Sequence, residues 1–116
     1  MKKIKKPWGY EIWLAHTKRY LGKIILIRKG HRLSRQYHRL KQETLYTDRG
    51  RYIMEIGNKK RIIKETESLT INPGIVHRMH AKFGDVRLIE VSTPHPKDVV
   101  RIEDDYGRAD KNKIRD

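Results

Sequence analysis

Four side chains in this sequence have the types and the spacing to hold a divalent cation. Gln36, His38 and Glu43 lie between Gly30 and Gly50 in the pattern G-x5-Q-x-H-x4-E-x6-G. Gln36 and His38 are two residues apart, so in an extended strand both side chains point to one side. A turn at Leu40–Gln42 returns the chain, and Glu43 then opens the neighbouring strand. An amide oxygen, an imidazole and a carboxylate converging from adjacent antiparallel strands form a donor set that a divalent metal accepts. A further donor, His77, follows the turn Asn72-Pro73-Gly74 at the start of another strand. One amide, one carboxylate and two imidazoles suit Zn(II), Fe(II), Mn(II), Co(II) or Ni(II), and they leave an open side for a substrate.

The elements that would position these donors are all strands. Gly22–Lys29 is the clearest, aliphatic and β-branched between turn residues. Tyr10–Leu14, Leu33–His38, Glu43–Thr47, Arg51–Ile56, Arg61–Lys64, Ser68–Asn72, His77–His80, Val86–Ser92 and Val99–Ile102 follow the same pattern, separated by turn signals such as Gly57-Asn58 and Gly84-Asp85. No stretch carries a helical stripe. Short strands at regular intervals predict an all-β sandwich or barrel. The chain reads as a single domain over 1–116, with a basic tail at 1–6 and a disordered tail at 109–116.

The two donor segments together resemble the cupin family, whose first motif is G-x5-H-x-H-x3,4-E-x6-G and whose second ends P-x-G-x2-H-x3-N. Gly30, His38, Glu43, Gly50, Gly74 and His77 fall on that pattern. Gln36 stands in place of the first histidine, Asn72 in place of the proline, and Ala81 in place of the closing asparagine. Further segments are similar to the cupin domain of type II mannose-6-phosphate isomerases: Lys6-Pro7-Trp8-Gly9-Tyr10-Glu11, Leu33-Ser34-Arg35-Gln36-Tyr37-His38, Glu90-Val91-Ser92-Thr93-Pro94 and Glu103-Asp104-Asp105-Tyr106-Gly107-Arg108. The resemblance implies a cupin-type double-stranded β-helix, or jelly-roll barrel. It also implies a metal held by Gln36, His38, Glu43 and His77, with zinc favoured because type I relatives use the same donor set for it.

The activity implied is aldose–ketose isomerisation of a sugar phosphate. A metal polarises the carbonyl and acidifies the adjacent C–H bond. A base within hydrogen-bond reach then shuttles the proton between C1 and C2. His80 and His31 are the candidate bases, and Arg35, Arg78 and Arg87 the candidate phosphate ligands, all chosen for their nearness to the motifs. Strand alternation turns Arg35 away from the side of Gln36. The cupin family also implies alternatives: a ketoisomerase or epimerase of nucleotide-linked sugars, an Fe or Mn dioxygenase, or a non-catalytic module binding sugar or nucleic acid.

Bulk composition narrows the setting. The chain has 116 residues, no cysteine and a formal net charge of +14. Without cysteine there is no disulfide and no thiolate chemistry. Residues 1–41 hold thirteen Lys and Arg against one acid, Glu11, whereas residues 42–116 hold fifteen against thirteen. That asymmetry points to an anionic partner, either a sugar phosphate or nucleic acid bound through residues 1–41. Only 36% of residues are hydrophobic, a low share beside the usual range of about 45–50% on a count that also includes Gly, so a homodimer that buries further apolar surface is expected. No apolar run approaches the ~20 residues of a membrane helix, and no signal-peptide core follows the basic start. A cytoplasmic protein that makes no membrane contact is the expectation.

Overall fold

Alternation decides which way each strand faces. In Leu21–Ile27 the residues Leu21, Lys23, Ile25 and Ile27 are buried, and those between them are half-exposed. The same two-residue period runs through Glu43–Arg49 and Val86–Ser92. In the computed structural model, which describes residues 2–110, eleven strands form two antiparallel sheets. They are β1 (Lys2–Lys6), β2 (Gly9–His16), β3 (Leu21–Ile27), β4 (Arg35–Tyr37), β5 (Glu43–Arg49), β6 (Tyr52–Ile56), β7 (Lys59–Ile63), β8 (Ser68–Ile71), β9 (His77–His80), β10 (Val86–Ser92) and β11 (Val100–Glu103).

The first sheet has the order β1-β2-β3-β10-β5-β8 and the second β11-β4-β9-β6-β7. This is the all-β double-stranded β-helix that the motifs predict. The inner faces enclose an apolar cluster that includes Ile25, Ile27, Leu45, Tyr52, Met54, Ile63, Val86 and Leu88. At about 25 cal/mol per Å² such burial is the main stabilising term. Among the described residues no helix is long and apolar enough to cross a membrane, which says nothing about strands.

Residues 2–6 correct the reading of a frayed tail. They pair with β2 in a full register, Lys2 opposite Trp13 through Lys6 opposite Gly9. Ile4 lies opposite the inward Glu11, so Ile4 and its alternate neighbours Lys2 and Lys6 share the inner face. Gly9 makes the β1–β2 corner possible: a Cβ there would sit 1.9 Å from the Leu26 carbonyl oxygen. Of the predicted disordered tail, Asp110 donates its backbone N–H to the Arg101 carbonyl at 2.7 Å, and residues 111–116 lie outside the described residues.

The stretch after β11 folds back onto the second sheet. Asp105 accepts two hydrogen bonds from Arg32, at 2.6 and 2.9 Å, and one from Arg78 at 3.1 Å. Tyr106 Oη lies 2.7 Å from His31 Nδ1. These contacts tie the C-terminal segment to the β3–β4 connection and to β9.

Candidate active site

The inner faces are not apolar throughout. Along β3 the inward series runs Ile27, Ile25, Lys23, Leu21, and along β10 it runs Val86, Leu88, Glu90, Ser92. Register sets the polar residues side by side. Trp13 pairs with Lys23, Lys23 with Glu90, and Ser92 with Glu43. On the facing sheet Arg101 pairs with Gln36 and Gln36 with His77. One end of the β-helix is therefore polar on both inner faces, and it encloses a cavity of about 100 Å³.

His38, Glu43 and His77 meet in this region. One ligand atom from each lies within 4.8 Å of the others, and all three residues are buried. His38 Nε2 is 3.7 Å from Glu43 Oε2, and His77 Nε2 is 3.7 Å from Glu43 Oε1. Gln36, beside His77 in register, lines the cavity together with His38 and Glu43.

The imidazoles are oriented from behind. His38 Nδ1 bonds the Asp98 carbonyl, and His77 Nδ1 bonds the Ile75 carbonyl at 2.9 Å. A carbonyl only accepts, so in each ring Nδ1 carries the hydrogen and Nε2 offers its lone pair inward. Backbone support of this kind is what metal-ligating histidines use. His77 Nε2 is buried and has no hydrogen-bond partner among the described residues. Leaving such an atom unsatisfied costs about 1–3 kcal/mol, and a cation would relieve it. Burial holds the His77 imidazole below the usual histidine range, with Glu43 and the Ile75 carbonyl opposing only in part, so Nε2 stays free to coordinate. These residues fit a divalent metal.

Asp98 fixes the loop that carries these groups. Its carboxylate accepts the backbone N–H groups of Arg39, Leu40 and Lys41 at 3.1, 2.7 and 2.9 Å. These bonds outweigh the effect of burial and hold its carboxyl below the ordinary aspartate range.

Lys41 closes one flank. Its ammonium is 3.0 Å from Glu43 Oε2 and 2.9 Å from Glu90 Oε2, and Ser92 Oγ donates to the same Glu90 oxygen at 2.8 Å. Burial alone would discharge Lys41, but Glu90 and Glu43 together hold it charged, above the ordinary lysine range. On the other flank Lys23 Nζ and Trp13 Nε1 both donate to Glu11 Oε1, at 3.2 and 3.0 Å.

The cavity mouth is cationic. Lys6 from β1 and Arg101 from β11 line it with Arg108. Arg108 is bound to Asp104 at 2.9 and 3.1 Å, while Lys6 and Arg101 form no ion pair among the described residues. Burial lowers the basicity of both; Lys23, Arg101 and Arg108 add to the effect on Lys6, and Arg108 to that on Arg101.

The other expected site residues lie elsewhere. His80 follows the inward Met79 on β9, so alternation turns its side chain to the opposite face, while its backbone forms an isolated antiparallel bridge with Arg32. His31 is engaged by Tyr106. Neither lines the cavity. Arg35, Arg78 and Arg87 each neighbour an inward residue, respectively Gln36, His77 and Val86, and so face outward. Arg35 bonds Glu55 at 3.0 Å and the Gly57 carbonyl at 2.6 Å, Arg78 bonds the Leu33 carbonyl at 2.8 Å and Asp105, and Arg87 bonds Asp48 at 2.6 Å.

The cations that do reach the cavity, Lys6, Lys23, Lys41, Arg101 and Arg108, are not among the phosphate ligands expected from sequence. A signal was there for Lys23 and Glu90: each is the one charge on the inward period of an otherwise aliphatic strand. Lys6 and Arg101 come from edge strands whose pairing was not foreseen.

Comparison with known proteins agrees with this geometry. The mannose-6-phosphate isomerase C-terminal family model matches residues 1–104. The xanthan biosynthesis protein XanB of Xanthomonas campestris is 30% identical over 93% of this chain and 24% of its own length. Mannose-1-phosphate guanylyltransferase ManC of Salmonella typhimurium is 32% identical over 93% of this chain and 23% of its own. The chain thus spans about a quarter of the curated relatives it matches.

Solved structures share the fold at low identity. KdgF from a Halomonas species superposes with a TM-score of 0.76 at 16% identity, covering 84% of this chain and 89% of its own. The capsular polysaccharide assembling protein CapF from Staphylococcus aureus gives 0.76 at 15%, covering 88% and 34%. A cupin-like protein from Thermotoga maritima gives 0.73 at 20%, covering 82% and 76%. A family match over most of the chain, together with a β-helix whose polar end gathers His38, Glu43 and His77, makes this protein a cupin of the mannose-6-phosphate isomerase C-terminal family.

Proposed function

We propose that the chain binds a divalent metal through Gln36, His38, Glu43 and His77 and interconverts an aldose and a ketose that carry a phosphate. One observation carries the reading. One cavity is lined by Gln36, His38 and Glu43, which sit with the unsatisfied His77 imidazole, and by two half-buried cations, Lys6 and Arg101, that form no ion pair among the described residues. The family description and the sugar-phosphate chemistry in the relative's name, a mannose-1-phosphate guanylyltransferase, support it from outside.

When bound, a divalent cation supplies polarisation of a substrate oxygen, which weakens the adjacent C–H bond. The remaining roles fall to the chain. Lys6 and Arg101 receive the phosphate, whose charge also relieves their mutual repulsion. Trp8 and Trp13 wall the cavity and give a sugar ring apolar surface to lie on. Lys23 and Lys41, fixed by Glu11, Glu43 and Glu90, leave few freely moving charges inside, which favours a preorganised environment.

The test is conversion of mannose 6-phosphate to fructose 6-phosphate, followed by NMR with Zn(II), Co(II), Mn(II) or Fe(II) added. Turnover is expected with at least one metal. Lys6→Ala and Arg101→Ala should each raise KM by about 10-fold or more, the worth of a charge-assisted hydrogen bond. Absence of interconversion with every metal overturns the reading.

A further inference from the structure

An isomerase of this kind needs a group that takes a proton from carbon, and neither His31 nor His80 reaches the cavity. Three carboxylates do: Glu11, Glu43 and Glu90. Glu43 belongs with the imidazoles. Glu90 shares its ammonium partner, Lys41, with Glu43, and its side chain is 4% exposed. Glu11 differs. Its side chain is the most open of the three, at 11%. Trp13 and Lys23 both bond Oε1, and no hydrogen bond or ion pair among the described residues engages Oε2.

We propose that Glu11 is the acid–base residue of this site, transferring a proton between neighbouring carbons of a bound sugar phosphate. The inference rests on the isomerase reading and names the residue that reading lacks. Glu11 comes from β2 on one sheet and Gln36 from β4 on the other, and both line the one cavity. A sugar between them turns its carbonyl towards the imidazole–carboxylate cluster and a C–H bond towards Glu11.

The Glu11 carboxylate removes the hydrogen on C2. The electron pair of that bond forms C1=C2, and the carbonyl π pair moves onto O1. The hydroxyl proton passes from O2 to O1. The protonated Glu11 then returns its hydrogen to C1 as C2=O forms, so no external oxidant, reductant or proton is consumed. Trp13 and Lys23 keep the carboxylate in one orientation through both transfers.

Glu11→Gln tests this, because the amide is nearly isosteric and cannot accept the proton. Turnover and solvent deuterium incorporation at carbon should fall by about 10²–10⁴-fold, the usual contribution of a general acid–base group. Co(II) uptake and calorimetric affinity for the reduced, non-isomerising sugar alcohol phosphate should stay within about threefold.

The assignment is overturned if Glu11→Gln exchanges deuterium at close to the wild-type rate, or if it loses Co(II) and analogue binding together with activity. Should that variant not fold, Glu11→Asp keeps the charge for Lys23 but withdraws the carboxylate. It should slow exchange by more than about tenfold with analogue binding intact, and an unchanged rate is contrary. A wild-type protein that is inert in both assays sinks the isomerase reading and this inference with it. An active wild type matched by Glu11→Gln sinks the inference alone.

Discussion

Replacing Lys41 by methionine probes the polar half of the fold most sharply. The ammonium sits 3.0 Å from Glu43 and 2.9 Å from Glu90, and the side chains of all three are 4–6% exposed. Lys41→Met keeps most of the volume and leaves two carboxylates facing each other without their cation. Breaking a buried ion pair by removing one partner costs about 3–5 kcal/mol. With a urea slope of about 2 kcal/mol per M, the unfolding midpoint should drop by roughly 1.5–2.5 M in metal-free buffer.

The loss should also depend on pH. A carboxyl stripped of its cation in a buried site has its pKa raised in the folded chain. Stability tied to that proton is present below the unfolded value, about 4.3, and is lost as pH rises through the folded one. The deficit measured at pH 8 should therefore exceed that at pH 5. Adding Glu90→Gln removes one of the opposed charges and should recover about half of the loss. A single-variant cost below about 1 kcal/mol, unchanged between the two pH values, would refute the reasoning, since an exposed pair behaves that way.

Other outcomes follow from the same arrangement. Asp98→Ala frees the three backbone N–H groups that its carboxylate holds; metal affinity by calorimetry should fall about 10–100-fold, as for other supporting groups around metal ligands. Burial keeps His77 below the ordinary value of 6.5, so stability tied to its neutral ring is whole above that pH and declines as pH falls through it towards the folded value. Urea titrations at pH 7.5 and 5.5 should show that decline, and His77→Leu should flatten it. The outward row Ile12, Ile24 and Ile89 on the first sheet, flanked by exposed Leu14 and Val91, leaves apolar surface for a second copy. Sedimentation should show a dimer in the wild type and a monomer in Ile89→Lys, and a wild-type monomer at about 100 μM would be contrary.

The imidazole–carboxylate cluster was partly legible because some of its signals are local. Gln36 and His38 stand two apart, so alternation gives them one side, and a glycine turn precedes His77; Glu43, expected on the strand next to them, instead opens β5 in the other sheet and meets the imidazoles across the interior. The arginines failed on the same rule: Arg78 and Arg87 each adjoin an inward residue, and alternation sends them out. The cavity mouth was hidden for another reason. A lysine in MKKIKK reads as solvated, and only the pairing of Ile4 with Glu11 reveals that Lys6 faces inward. Asp98 lies some sixty positions from the loop it clamps, a separation that no periodicity encodes. Of the basic first third, Lys6, Lys23 and Lys41 line the cavity.

The arrangement also shows where stability and chemistry conflict. Glu11, Lys23, Glu43 and Glu90 occupy inward positions that aliphatic residues fill at the other end of the same sheet, and Lys41 reaches in from the β4–β5 connection. Buried ion pairs seldom stabilise more than apolar packing of equal volume, and an imidazole nitrogen without a partner is a net loss. A cation at the cluster would turn that loss into binding energy.

Calorimetric titration of the metal-free protein with Zn(II) or Co(II), alongside a His38→Ala, His77→Ala double variant, measures this directly. The account predicts one ion per wild-type chain, with a higher unfolding temperature on binding, and neither effect in the variant. No uptake by the wild type, or equal uptake by both proteins, would contradict it.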